Sequence, residues 1–217
     1  MLYPLKVTLT NVAEDALFSL PAPDFPAAPG GAAHALPLTR TVYIERADFR
    51  EADEAGYFGL APGKVAGLRY AGYVRVTGVV RDAAGAVAEL TAEYDAERSA
   101  AFAGAAKVRG NLHWVSGAAP GAAPAAVEVR LFDHLFAEPA EPGAEPLLNP
   151  ASEVVVAGAL ADAALAAPGR VARRAHFQFE RVGFFTADDD SRPEEGKLVF
   201  NMTVGLKEGA EAKKARA

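Results

Sequence analysis

Residues 73–95 read YVRVTGVVRDAAGAVAELTAEYD. Two runs rich in Val, Thr and Tyr, YVRVTGVV and AVAELTAEY, flank Asp82-Ala83-Ala84-Gly85. β-Branched and aromatic residues in alternation suit a pleated, half-buried surface. A short loop ending in Gly between two such runs folds the chain back on itself. The stretch therefore predicts an antiparallel hairpin, and the preceding LAPGKVAGLRYAG (60–72) extends it into a hairpin series. Outward from there the same alternation recurs. PLKVTLTN (4–11) stops at a turn-prone Asn, and TRTVYIERADF (39–49) sets Val42 and Ile44 against Thr41, Tyr43 and Glu45. NLHWVS (111–116) and AVEVRLFDHLF (126–136) continue the pattern. ASEVVVAGALADAALA (151–166) reads as a strand running into a short Ala-rich helix or turn. AHFQFERVGFFTADDD and GKLVFNMTVGLKE (196–208) are two strands around an acid loop. LFSLPAPDFPAAPGG (17–31) and EPAEPGAEPLLNP (138–150) are proline-rich connections, and 209–217 is expected as a flexible tail. Many short strands and few helices make this an all-β chain, built as barrels or sandwiches.

The chain has 217 residues, 51% hydrophobic and 23% charged, with a net charge of −6. No apolar run approaches the ~20 residues of a membrane-spanning helix, and no basic-then-apolar start reads as a signal peptide. These features predict a cytoplasmic protein with no membrane partner. Zero cysteines excludes disulfides, thiolate catalysis and Cys-based zinc sites. The acidic balance argues against a general nucleic-acid or DNA binder. A polyanion would have to be met locally, at GRVARRAH (169–176), KVRGNLH (107–113) or KKAR (213–216), set against the acid cluster ADDDSRPEE (187–195).

Enzymatic motifs are missing. His34, His113, His134 and His176 fall at no metal-ligand spacing, and GxSxG, the Walker phosphate loop and GxGxxG after a strand are absent. No catalytic or metal site is expected. Aromatic and basic residues do interleave: Arg69-Tyr70, Tyr73-Val74-Arg75, and Gln178 through Arg181. Such interleaving suits single-stranded RNA, whose bases stack on rings and guanidinium planes. It equally suits a barrel with a charged outer face, and pattern alone leaves both readings open.

The order of the segments adds more. PLKVTLTN, VYIERADFRE, LAPGKVAGLRYAGYV, KVRGNLHWVS, EVRLFDHLF, LNPAS, FQFERVGFF and KLVFNMTVGLKE follow one another through the chain. In that order they resemble the C-terminal anticodon-binding region of glutaminyl-tRNA synthetases, from about residue 3 to 208. FQFER is the sharpest block. The resemblance implies two antiparallel β-barrels, a proximal one from 1–54 with 150–208 and a distal one from 55–149. It implies tRNA(Gln), through its anticodon loop, and the catalytic domain of the same synthetase as partners. ATP and glutamine would bind that catalytic half, whose HIGH-like and KMSKS-like motifs do not occur in these residues, so no cofactor is expected here and the chain by itself is expected to be non-catalytic. Alternatives are a ribosomal-RNA-binding barrel, a protein-interaction module that binds no RNA, and, nearer, a glutamyl-tRNA synthetase anticodon-binding region.

Residue by residue, the resemblance makes Gln178 the reader of the middle anticodon base, a uridine, with Arg181 on the same surface. Phe177 and Phe179 would hold the strand in register, and Glu180 would orient Arg181. Arg69, Tyr57 and Phe58 complete the anticodon-binding set. Departures from the family pattern concern the flanking bases. Phe58-Gly59 stand where a Lys-Arg pair is common, Ala66-Gly67-Leu68-Arg69 replaces V-R-L-R, and Asn201-Met202-Thr203-Val204 replaces N-R-T-V.

Overall fold

The computed structural model describes residues 1–26, 30–104, 107–118, 123–137 and 145–206. The tail 209–217, and with it KKAR, lies outside them. Among the described residues the regular structure is β-strand, apart from the four-residue helix α1 (Ala100–Ala103) and three short 3-10 turns. No helix among these residues is long and apolar enough to cross a membrane. Two compact units result, one made of Met1, residues 3–125 and 160–167, the other of Leu2, residues 126–159 and 168–217.

In the first unit β1 (Pro4–Leu9), β2 (Phe18–Pro23), β3 (Ala33–Leu38) and β4 (Thr41–Glu45) are followed by β5 (Val65–Leu68), β6 (Tyr73–Arg81), β7 (Val87–Asp95), β8 (Asn111–Leu112) and β9 (Trp114–Ser116). The hairpin over 73–95 forms as its pattern predicts. Asp82 Oδ1 accepts from the backbone N–H of Ala84 and Ala86 at 2.9 Å, and Gly85 takes the left-handed conformation the turn needs, with φ 83°. β2 and β3 pair as a separate antiparallel ribbon, so part of the proline-rich 17–31 segment is strand. Its prolines are tolerated because no further strand needs their missing N–H.

The large sheet has the order β8-β5-β6-β7-β1-β4-β9. Its two edge strands are consecutive in the chain, separated by His113 alone. One short segment therefore pairs with β5 on one side and with β4 on the other, and the sheet nearly closes as a barrel. Alternation along β1 sends Leu5, Val7 and Leu9 inward, where they meet Val42, Ile44, Leu68, Val74, Leu90, Leu112 and Trp114.

In the second unit β10 (Ala125–Phe132), β11 (Glu153–Ala161), β12 (His176–Phe179), β13 (Gly183–Ala187) and β14 (Leu198–Gly205) take the order β11-β10-β14-β13-β12. The Ala-rich stretch after β11 forms a 3-10 turn, Ala163–Ala166, as one of the two expected forms. Phe179 stacks on Phe185 at 4.1 Å between ring centroids, and Phe177 and Phe179 both meet Phe200 edge-on at 5.3 Å.

Two features differ from the sequence-based picture. The sheets are mixed, because β1–β7, β5–β8 and β10–β14 pair in parallel. The compact units also do not follow the 1–54 with 150–208 and 55–149 division. The register Lys6↔Glu89 to Leu9↔Ala92 joins β1 and β4 to the sheet that carries β5 to β7. Alternation reports that a segment is a strand and which face is buried. It carries no record of the partner strand.

Two measurements follow from this packing. Phe185→Ala removes a ring with 1% exposure and is expected to cost about 3–5 kcal/mol, against less than about 1 kcal/mol for the half-exposed Phe184→Ala, by urea unfolding followed with far-UV circular dichroism. At the β1–β7 junction, the Thr8 hydroxyl and then the Lys6 ammonium hold the Glu89 carboxyl below its ordinary value against the opposing effect of burial. A carboxyl depressed in the folded state contributes stability above its unfolded pKa and loses it as pH falls through the folded value. Glu89→Gln is therefore expected to flatten the acid side of the stability profile while leaving the shape near neutrality unchanged.

Candidate nucleic-acid interface

The residues singled out from the sequence fall into two sets, one in each unit. In the second unit, β12 puts Gln178 on its exposed face opposite Phe184, while Phe179 is buried and Phe177 half-buried behind it. The ring stack described above holds that inner face, so the position expected for base reading is an exposed amide on an immobilised strand. Arg181 and Glu180 are not on the strand. They lie in the tight connection to β13, where Val182 N–H donates to the Phe179 carbonyl at 3.0 Å. Arg181 there adopts φ 65°, in the left-handed region that non-glycine residues rarely enter.

At the other end of β12, Arg174 is also left-handed, with φ 58°. Such conformations cost on the order of 1–3 kcal/mol and cluster at ligand clamps. Arg173 donates from Nε and Nη2 to the two carboxylate oxygens of Asp189 at 2.6 Å each. Arg174 reaches the same two oxygens at 3.4 and 3.0 Å. These bonds, Arg173's first, hold the Asp189 carboxyl far below the usual carboxylate range. The acid loop is thus tied by local ion pairs and hydrogen bonds. Asp188 accepts from the Asn201 amide, Arg130 bonds Asp190 at 2.8 Å, and Ser191 Oγ both donates to and accepts from the Val199 backbone. A cleft of about 440 Å³ opens between this loop and the segment before β12, lined by Arg173, Asp188, Asp189 and Arg192 among others. Arg173, Arg174 and Asp189 lie in the basic and acidic segments 169–176 and 187–195 noted in the sequence, though none was named as a site residue. The signal was the basic segment just ahead of FQFER, whose acidic partner in the fold its sequence does not name.

In the first unit, Tyr57 and Phe58 precede a closely packed Gly59. The Arg50 guanidinium lies 4.3 Å and the Lys64 ammonium 5.2 Å from the Tyr57 ring centroid, Lys64 donates to the Tyr57 carbonyl at 2.6 Å, and the Tyr57 hydroxyl donates to the Ala47 carbonyl at 3.2 Å. A Cβ at position 59 would run into that Tyr57 hydroxyl and come within 2.5 Å of the Asp48 carbonyl. Phe58 is 49% exposed. Arg69 sits in the β5–β6 turn, where its N–H donates to the Leu112 carbonyl and its carbonyl accepts from Trp114 Nε1, both at 2.9 Å. Trp114 is core, 2% exposed. The guanidinium of Arg69 lies 5.1 Å from the Tyr70 ring centroid. Phe58 and Arg69 flank the same run, since the Gly110 carbonyl accepts from Gly67 N–H at 2.8 Å and a Cβ on Gly110 would strike the Phe58 carbonyl. Other cations of this unit contact groups of the fold itself. Arg75 covers the Phe102 ring at 4.4 Å and Arg98 bonds the carbonyls of Leu68 and Ala71.

Two family profiles match, at residues 1–95 and 111–188, both described as anticodon-binding domains of class I tRNA synthetases (E and Q). The cytoplasmic glutamine–tRNA ligase of Arabidopsis thaliana is 44% identical over 96% of this chain and 26% of its own length. A probable glutamine–tRNA ligase of Dictyostelium discoideum is 41% identical over 98% of this chain and 26% of its own. The glutamine–tRNA ligase of Cupriavidus metallidurans is 44% identical over 96% of this chain and 35% of its own. The chain thus spans between about a quarter and a third of the length of these relatives. It belongs to the anticodon-binding domain family of the class I tRNA synthetases for glutamate and glutamine, as an anticodon-binding region of the glutamine–tRNA ligase kind.

Proposed function

We propose that the chain binds the anticodon loop of tRNA(Gln) and reads its middle uridine through Gln178, with Arg181 on the same surface. Ligation of glutamine, with its ATP and glutamine sites, belongs to a catalytic domain that works with these residues, and none of that chemistry is assigned to them. The setting is translation in the cytoplasm. The observation that carries the reading is the exposed Gln178 amide, held on a ring-packed strand with a left-handed arginine two residues beyond each end. A Gln amide donates to a uracil carbonyl and accepts from its N3–H, and a fixed strand keeps that pair in register. Tyr57, Phe58 and Arg69 serve in a separate role, as ring and cation contacts to the loop without base selection. The Arg69 main chain is fixed at the turn by Leu112 and Trp114, which suits it to a phosphate.

The test is a set of dissociation constants for anticodon stem-loops with U or C in the middle position. Gln178→Ala is expected to lose ~1–3 kcal/mol of affinity for the U loop and little for the C loop. Arg69→Ala is expected to weaken both alike and to reduce the dependence on salt. Equal losses for both loops with Gln178→Ala would show that Gln178 does not read the base. For the third base, restoring the family's cation as Gly59→Arg is expected to destabilise the fold by about 1–3 kcal/mol, because the Tyr57 ring and the Asp48 carbonyl occupy the space. A thermal melt equal to the parent chain would refute that packing argument.

A further inference from the structure

The Arg173–Asp189–Arg174 cluster has no evident task in holding the fold. The side chains are 71%, 41% and 73% exposed. Exposed ion pairs contribute little to stability. Yet two planar guanidinium forks converge on a single carboxylate, one of them carried on a left-handed residue. We propose that Arg173 and Arg174 form a binding fork for a phosphodiester of the RNA backbone, and that Asp189 is the built-in carboxylate this phosphate displaces. The inference rests on the anticodon reading above and adds to it a second, sequence-independent contact.

The exchange is chemically close to neutral. A carboxylate and a phosphodiester each present two oxygens and one negative charge to a guanidinium fork, so the arginines need no rearrangement. The loop backbone also stays where it is. Arg192 Nη1 donates to the carbonyls of Asp189 and Ser191 at 2.8 Å each, and Ser191 is tied to Val199. Rotation of the Asp189 side chain alone opens the fork, and the adjoining cleft gives the phosphate room. β12 begins two residues after Arg174, and by strand rise Gln178 lies roughly 7 Å beyond the start of the strand. A strand of RNA with one base at Gln178 can set a flanking phosphate at the fork. Since Asp189 must be displaced first, it weakens binding of every sequence equally and disfavours weakly held RNA.

The test uses the 217-residue chain and the same U and C stem-loops at two salt concentrations. Asp189→Asn is expected to tighten binding of both loops by about fivefold and to steepen the salt dependence. Arg173→Gln with Arg174→Gln is expected to weaken both loops and to abolish the gain from Asp189→Asn. Glu194→Gln removes one negative charge from the same loop and is expected to give a smaller gain. Asp189→Ser replaces Asp189→Asn if the latter melts early. An unchanged or weaker affinity for Asp189→Asn, a gain that survives without the arginines, or an equal gain from Glu194→Gln would each overturn the inference. If the parent chain prefers the U loop while Asp189→Asn changes nothing, only this inference falls. If the parent chain binds neither loop at low salt, the anticodon reading falls with it.

Discussion

The stacking of Phe179 on Phe185, with Phe200 edge-on to Phe177 and Phe179, is the contact on which the exposed edge of β12 depends. A four-residue edge strand has one neighbour, β13, and little hydrogen bonding of its own to fix it. Burying alternate rings supplies the missing constraint and determines which side chains face out. Gln178 is exposed because its two neighbours are not. The same constraint sets the chain ends of the strand, where tight turns force Arg174 and Arg181 into left-handed conformations. A rigid apolar face and an exposed polar face are thus one feature, and base reading needs both.

Departures from the family pattern have a packing explanation in the first unit. Position 59 has no room for a side chain, because the Tyr57 ring has been drawn over it by Arg50 and Lys64. At Gly67 a Cβ would meet the Asn111 side chain at 3.2 Å and the Gly110 carbonyl at 3.3 Å. Of the two places where the resemblance leads one to expect arginine, position 59 is closed by neighbouring groups, while at 67 a side chain would need Asn111 and the Gly110 carbonyl to give by a few tenths of an ångström. Cations nearby contact the fold itself, with Arg75 on Phe102 and Arg98 on backbone carbonyls. An interleaved Arg and Tyr in sequence is as compatible with such internal pairs as with a nucleic-acid surface.

Charge is handled differently in the second unit. Its acid loop and the arginines before β12 nearly neutralise one another in place, through Asp189 with Arg173 and Arg174 and through Asp190 with Arg130. A net charge of −6 thus says little about what this surface can bind. What counts is whether a competing anion can replace the internal one at the guanidinium groups, which can pair with a carboxylate or a phosphate through the same two-oxygen geometry.

Alternation along the chain was enough to determine the all-β class, the 73–95 hairpin and the shared inward face of Val42 and Ile44, because a period of two fixes which side of a strand is buried. FQFER likewise showed an exposed Gln between buried rings, since that is a local property of one strand. Strand partners, unit boundaries and ion-pair partners were decided only in three dimensions. The parallel registers β1–β7 and β10–β14 join segments about 70–80 residues apart, and nothing in either segment names the other. Arg181 reads as a strand residue until Phe179 pairs with Gly183 and leaves it in a turn. Asp189 reads as solvated until the fold of the second unit brings it to Arg173. Local sequence sets the face a residue presents, and long-range contact sets what that face meets.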